Sequence, residues 1–294
     1  MIIIDGPAAN GMGEKIATKL GARHFKTIHK TFPDGESYIK MPKLPRGGEA
    51  IVVQSTYSPQ DKHLMELFFM ADALNEMGFE RITAVVPYLA YVRQNKSFTE
   101  NEAVSIKMVM HLLNSSGIST LVTVEPHRYD ALLGFKGKTK IIDPSAAFAR
   151  EISANTKRPF VIATDEGDMG RAERLAGLLG CESDYIEKER NLVTNEVSVK
   201  REMKKEIRGR DAVIFDDVIS TGGTIELAAK MASSMGASKV IAAAAHLIMA
   251  GNAYERIASA GVSELYGANT IPFPKAHAVD VSGEIAEALK DLSF

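Results

Sequence analysis

Short runs of β-branched and other apolar residues recur along the chain, separated by longer stretches whose apolar positions return every three or four residues. That alternation predicts parallel sheets covered by helices. The runs that read as strands are residues 1–4, 50–54, 81–86, 120–124, 160–164, 212–215, 240–245 and 262–266, with a shorter one at 184–187. The clearest helix is 61–77, where Leu64, Leu67, Phe68, Ala71 and Leu74 share one face; others are 104–114, 171–179 and 224–234. Asp143-Pro144-Ser145 reads as a helix start, with Asp143 as the cap and proline at the first helical position. It divides the chain into two α/β halves, 1–145 and 146–294. Residues 283–292 form an amphipathic helix whose sequence does not say which half it covers, and the halves share an order of elements but no motif.

At 294 residues the chain suits about two domains. A composition of 45% hydrophobic and 24% charged residues excludes a disordered chain. With 35 basic against 37 acidic residues there is no general attraction to nucleic acid or to an anionic membrane, so any basic site is local. One cysteine, Cys181, makes neither an internal disulfide nor a Cys-based zinc cluster, which suits a reducing compartment. The apolar stretch 240–250 contains His246 and is well short of the roughly 18 residues of a spanning helix. The four apolar residues ahead of Asp5 are too few for a signal-peptide core. The expectation is a cytoplasmic protein with no nucleic-acid or membrane partner.

Ligands of parallel α/β sheets bind beyond the carboxyl ends of the strands, so the residues after each strand carry the chemistry. The apolar run 212–215 ends in Asp216-Asp217, then Val218-Ile219, then Ser220-Thr221-Gly222-Gly223-Thr224 and a helix. Two carboxylates at the end of a buried strand repel each other and cost desolvation, which makes sense where they accept from vicinal hydroxyls or face a metal. Hydroxyls, glycines and a helix amino terminus together cradle a phosphate monoester. Diol acceptors beside a phosphate cradle describe ribose 5-phosphate. The string resembles the PRPP-binding motif of the type I phosphoribosyltransferase fold family, which holds transferases that consume PRPP as well as synthetases that make it.

Five further segments separate these readings. Phe32-Pro33-Asp34-Gly35-Glu36 is a Pro-Gly turn displaying a ring and two carboxylates, suited to a purine, although such turns are commonly just solvated. It is similar to the adenine-contacting loop of ribose-phosphate pyrophosphokinases, the PRPP synthetases. Arg93-Gln94, in the aromatic and basic segment after 81–86, can fork to phosphate or cover a purine face, and resembles their second ATP-binding element. Glu125-Pro126-His127 follows 120–124; family members carry a His there near magnesium, commonly within Asp-Leu-His. Asp165-Glu166-Gly167-Asp168-Met169-Gly170-Arg171 is similar to their pyrophosphate loop, with Asp165 as magnesium carboxylate, Asp168 where many members have Gly, and Gly170 where many have Lys. Lys188-Glu189-Arg190 places two cations two residues apart on an extended chain, able to face one anion, and looks like the family's catalytic flexible-loop motif.

Six such segments in the family's order, from residue 32 to residue 224, identify the chain as a member of the PRPP synthetases. The resemblance implies an α/β fold of two phosphoribosyltransferase-like domains, each a mainly parallel sheet flanked by helices. It implies transfer of the β,γ-pyrophosphoryl group of Mg-ATP to the anomeric hydroxyl of ribose 5-phosphate, giving PRPP and AMP for nucleotide biosynthesis. Lys188 and Arg190 would be catalytic. Phe32, Asp34, Gly35, Glu36, Arg93 and Gln94 would bind ATP. Arg190, Asp216, Asp217, Ser220, Thr221, Gly222, Gly223 and Thr224 would bind ribose 5-phosphate, and His127 and Asp165 would serve Mg²⁺. It also implies a homo-oligomer, a dimer or a multiple of dimers, with the adenine site at a subunit interface. The alternatives are a transferase consuming PRPP and a non-catalytic regulatory relative, whose expected sign is loss of the catalytic Lys or Arg.

Overall fold

The computed structural model describes residues 1–97, 99–190, 197–201, 203 and 205–292; of 187–190 and 197–201 it describes the backbone alone. The chain forms two compact units, Met1–Asp143 with Val281–Phe294, and Pro144–Asp280.

The first unit runs β1 (Ile2–Asp5), α1 (Met12–Leu20), β2 (Arg23–Lys26), β3 (Ile28–Thr31), β4 (Ser37–Lys40), β5 (Glu49–Val53), α2 (Gln60–Glu76), β6 (Arg81–Val86), α3 (Ser105–Ser115), β7 (Thr120–Val124) and β8 (Lys138–Ile142). Six strands form one parallel sheet in the order β2-β1-β5-β6-β7-β8, while β3 and β4 pair as a separate antiparallel hairpin. Successive residues of a strand face opposite sides. Ile2, Ile4, Val52, Ala84 and Val86 therefore join the core under α2 and α3, while Ile3, Ile51, Val53 and Val85 are buried on the other face. Burial on both faces is why these strands read as continuous apolar runs.

The second unit runs α4 (Ser145–Ser153), β9 (Pro159–Ala163), α5 (Met169–Leu179), β10 (Ser183–Tyr185), β11 (Glu187–Arg190), β12 (Val197–Arg201), β13 (Asp211–Ile219), α6 (Gly223–Ser234), β14 (Lys239–Leu247), α7 (Ala253–Ser259), β15 (Glu264–Ala268) and β16 (His277–Val279). Its sheet is parallel, in the order β10-β9-β13-β14-β15-β16, and β11 and β12 form a separate antiparallel hairpin. The last helix, α8 (Ser282–Leu292), returns to the first unit.

Three expectations change. The second half does not extend to residue 294: α8 packs on α1 and β8, burying Ile285, Ala286, Ala288 and Leu289, with Lys140 of β8 3.6 Å from Asp291. Strand β13 does not stop at Phe215, because its pairing with β14 continues to Ile219↔Leu247; Asp216 and Asp217 thus lie within the strand. Helix α4 starts at Ser145 with Pro144 as its flanking residue.

Candidate active site

In the second sheet the chain leaves β9 toward β10 on one side and passes to β13 on the other, so a crevice opens between the carboxyl ends of β9 and β13. Both edges of that crevice carry acid. Asp168, Asp216 and Asp217 each offer an oxygen, all lying within 4.8 Å of one another, and all three residues are buried. Thr164 sits between two of them, its hydroxyl 3.0 Å from Asp168 Oδ2 and 3.1 Å from Asp216 Oδ2. A hydroxyl has one proton to give, so it serves one carboxylate at a time. The Asp217 backbone N–H donates to Asp216 Oδ1 at 2.8 Å.

The loop after β9 closes as one tight turn in which the Asp168 N–H donates to Asp165 Oδ1 at 3.2 Å. Arg171, one turn further along α5, pairs with the Asp168 carboxylate. Burial, reinforced by the negative charge of Asp165, pushes the Asp168 carboxyl up; Arg171 opposes the shift and Asp217 adds to it. In the sequence Asp168 stands out only as an acidic residue in the turn that leads into α5. Its part in the acidic cluster was not legible because residues 168 and 216 meet only through the pairing of β9 with β13.

Beyond β13 the backbone is pinned by its neighbours, with Ala250 N–H donating to Ser220 O at 2.9 Å and Ile248 N–H to Ile219 O at 3.0 Å. Gly222 adopts φ +78, and a Cβ there would stand 3.0 Å from Ile257 Cγ2 and 3.1 Å from Ala253 O, so both conformation and space require glycine. Helix α6 begins at the next residue. Its first N–H groups and the positive end of its dipole face the loop. Thr221 is exposed, and Ser220, Gly223 and Thr224 are half-buried, so the loop stays open to solvent.

The structure thus brings Asp165, Asp216, Asp217 and residues 220–224 to one end of one sheet. Lys188 and Arg190 lie on β11, in the hairpin that follows β10; their side chains lie outside the described residues.

In the first unit, residues 32–36 form the tip of the β3–β4 hairpin. Phe32 N–H donates to Glu36 O at 2.8 Å, Gly35 N–H to Phe32 O at 2.9 Å, and Glu36 N–H to Asp34 Oδ1 at 3.2 Å. Gly35 has φ +97, a conformation side chains disfavour. Phe32 is exposed, edge-on to Tyr38 at 5.8 Å, with Lys30 Nζ 4.7 Å from its ring centre. Arg93 is exposed. Gln94 is tied to the start of α3, donating to Glu102 and accepting from Ser105, each at 2.8 Å. His127 is half-buried beyond β7, next to the neighbouring loop that Asn95 joins to Asp130 at 3.2 Å. Glu125 leaves β7 with φ +33, a strained backbone for a side-chain-bearing residue.

Comparison with known proteins covers both units. Residues 1–117 match a family model described as the N-terminal domain of ribose phosphate pyrophosphokinase, and residues 135–269 match the phosphoribosyl transferase domain. A ribose-phosphate pyrophosphokinase from Sulfolobus acidocaldarius is 47% identical over 98% of this chain and 100% of the relative. One from Saccharolobus solfataricus is 45% identical with the same coverage. Among solved structures, phosphoribosylpyrophosphate synthetase from Mycobacterium smegmatis aligns with a TM-score of 0.85 at 28% identity, covering 99% of this chain and 98% of that one.

Proposed function

The chain belongs to the ribose-phosphate pyrophosphokinase family, and from that premise we propose how its residues divide the synthesis of PRPP from ATP and ribose 5-phosphate. In that reaction the anomeric oxygen of ribose 5-phosphate forms a bond to the β-phosphorus of ATP. The bond from that phosphorus to the α,β-bridging oxygen breaks, and AMP leaves. The observation that carries the residue assignment is the run from Asp216 through Thr224, two buried carboxylates leading into an open phosphate cradle beside the Asp165–Arg171 turn.

Asp216 and Asp217 accept from the ribose hydroxyls, and Ser220, Thr221, Gly222, Gly223 and Thr224 hold the 5-phosphate at the start of α6. Arg171 faces the phosphate side of the same crevice. Lys188 and Arg190 supply positive charge where the transferring group and the leaving oxygen become more negative. The buried oxygens gathered here suit Mg²⁺, a hard cation that takes oxygen ligands; Asp165 would hold it, with Asp168 adjacent. When bound, the ion neutralises phosphate charge. In the first unit, Phe32, Asp34, Gly35 and Glu36 with Arg93 take the adenosine part of ATP. Gln94 orders the loop that presents Arg93, and His127 serves the metal-phosphate side.

The working form is a homo-oligomer, a dimer or a multiple of dimers, whose partner completes the adenine site. Met65 and Phe69 on α2 and Met108 and Leu112 on α3 support it: all four are exposed apolar side chains on helices covering the same sheet face. The compartment is the cytoplasm. Among the described residues no helix is long and apolar enough to cross a membrane.

The experiment is to mix the protein with ATP, Mg²⁺ and ribose 5-phosphate, without a nucleobase, and separate the products. AMP and PRPP in equal amounts are expected. ADP would mean ordinary kinase chemistry, and product only from PRPP plus a base would mean a transferase.

A further inference from the structure

The β3–β4 hairpin has little to hold it in place. Every residue of β3 is exposed, Ile28 by 57%, and a lone two-stranded hairpin is only marginally stable in water. Ile39, near the hairpin's base in β4, and Met41, just beyond it, rest against the core of the first unit. The tip, residues 32–36, is farthest from that support, yet it is the part that must meet a nucleotide at a defined place.

Two side chains of α2 reach it. Lys62 Nζ donates to Thr31 Oγ1 at 2.7 Å, and Ser37 Oγ donates to Glu66 Oε1 at 3.0 Å. Thr31 and Ser37 are partners in the hairpin register, the last pair before the tip. Lys62 and Glu66 are four residues apart on one face of the helix, 4.0 Å from each other. One helical turn thus holds both strands of the hairpin where the tip begins.

Glu66 is 1% exposed, where a leucine would extend the apolar face of α2 without the cost of burying a charge. Its second oxygen accepts from Gln54 Nε2 at 3.3 Å. Gln54, fully buried at the end of β5, also donates to His63 O at 3.2 Å and accepts from Ala8 N–H at 2.8 Å. The contact therefore runs from the hairpin through α2 to the end of the sheet.

We propose that Lys62 and Glu66 are positioning residues that clamp the Thr31–Ser37 pair and so set the hairpin tip, Phe32 to Glu36, for ATP. The proposal rests on the reading of the tip as the nucleotide contact. The clamp is tested from the hairpin side, where Thr31 is exposed and Ser37 half-buried, so that folding is not at stake. Thr31→Val with Ser37→Ala removes both hydroxyls. It is expected to raise KM for ATP about tenfold, the scale of one or two lost hydrogen bonds, while KM for ribose 5-phosphate stays within about twofold. Amide hydrogen exchange at Phe32 and Gly35 should speed up in the same variant. Ser37→Thr, which keeps a hydroxyl, should restore most of both, and Lys62→Met should reproduce part of the loss. Wild-type exchange at the tip in the double variant overturns the clamp, whatever happens to ATP. Phe32→Ala separates the two ideas: if it leaves KM for ATP unchanged, the nucleotide reading of the tip fails, and the exchange data still decide the clamp.

Discussion

The two units wind six parallel strands in the same order and insert a two-stranded hairpin after the second strand of each sheet, yet their switch-point crevices are chemically unlike. In the second unit the crevice between β9 and β13 gathers Asp168, Asp216 and Asp217 and opens onto a solvent-reachable Ser-Thr-Gly loop. In the first, the corresponding ends of β1 and β5 are sealed by their own hydrogen bonds. Gln54 takes the Ala8 N–H, Thr56 Oγ1 donates to Tyr88 O and accepts from Ala90 N–H, and Ser55 Oγ accepts from Tyr88 N–H. Gln54, Ser55 and Thr56 are all at most 1% exposed. Topology offers a crevice in each sheet, and what it holds depends on whether the polar groups at the strand ends are spent on the fold or turned outward.

The largest expected effect breaks the likeness of the two hairpins. Lys188→Ala, on the second unit's hairpin, should lower kcat about a thousandfold, the scale of losing a charge that acts on the reacting phosphate, with unchanged thermal unfolding. The clamp variants on the first unit's hairpin should act on KM for ATP instead. A Lys188→Ala enzyme with normal kcat would leave the two hairpins equivalent and remove the triplet from the chemistry.

A smaller effect sharpens the contrast between the crevices. Asp216→Asn should raise KM for ribose 5-phosphate about tenfold by weakening one charge-assisted hydrogen bond, with little change in KM for ATP. If steady-state kinetics showed the rise for ATP alone, the acidic pair would belong to the nucleotide.

The smallest is a matter of stability in the sealed crevice. Asp5, at the end of β1, is buried, and its carboxylate lies 3.1 Å from His24 Nε2. Burial pushes the Asp5 carboxyl up, and His24 pulls against that shift. A native carboxyl that holds its proton more tightly than the unfolded chain adds stability fully below the ordinary Asp value of about 4 and loses it as pH rises through the native value. Asp5→Asn cannot ionise, so its stability relative to the parent should increase from pH 4 to pH 7 in urea unfolding. A difference that does not vary with pH would mean that Asp5 titrates alike in the folded and unfolded chain.

Much of this was legible along the chain. Strands β6 and β7 fall at the bounds read from the sequence, because burial of most of their residues on both faces makes them rich in apolar and β-branched side chains. The Ser-Thr-Gly-Gly-Thr turn from β13 into α6 was legible because its parts are contiguous and each residue type has a local reason to be there. The short edge elements were not: β3, with Ile-His-Lys-Thr all exposed, carries no hydrophobic period to read. Nor were the partners of Asp216 and Glu66, whose contacts reach Thr164 and Ser37, 52 and 29 positions away.

By itself the amino-acid sequence determined the class of fold and the family, since periodicity, turn residues and contiguous motifs are local properties of the chain. Only the tertiary structure decided that α8 closes the first unit rather than the second, that β13 runs past its two aspartates, and that Asp168 joins them. An amphipathic helix states that it must cover something without stating what, and a carboxylate acquires its partners only when strands distant in sequence pair side by side.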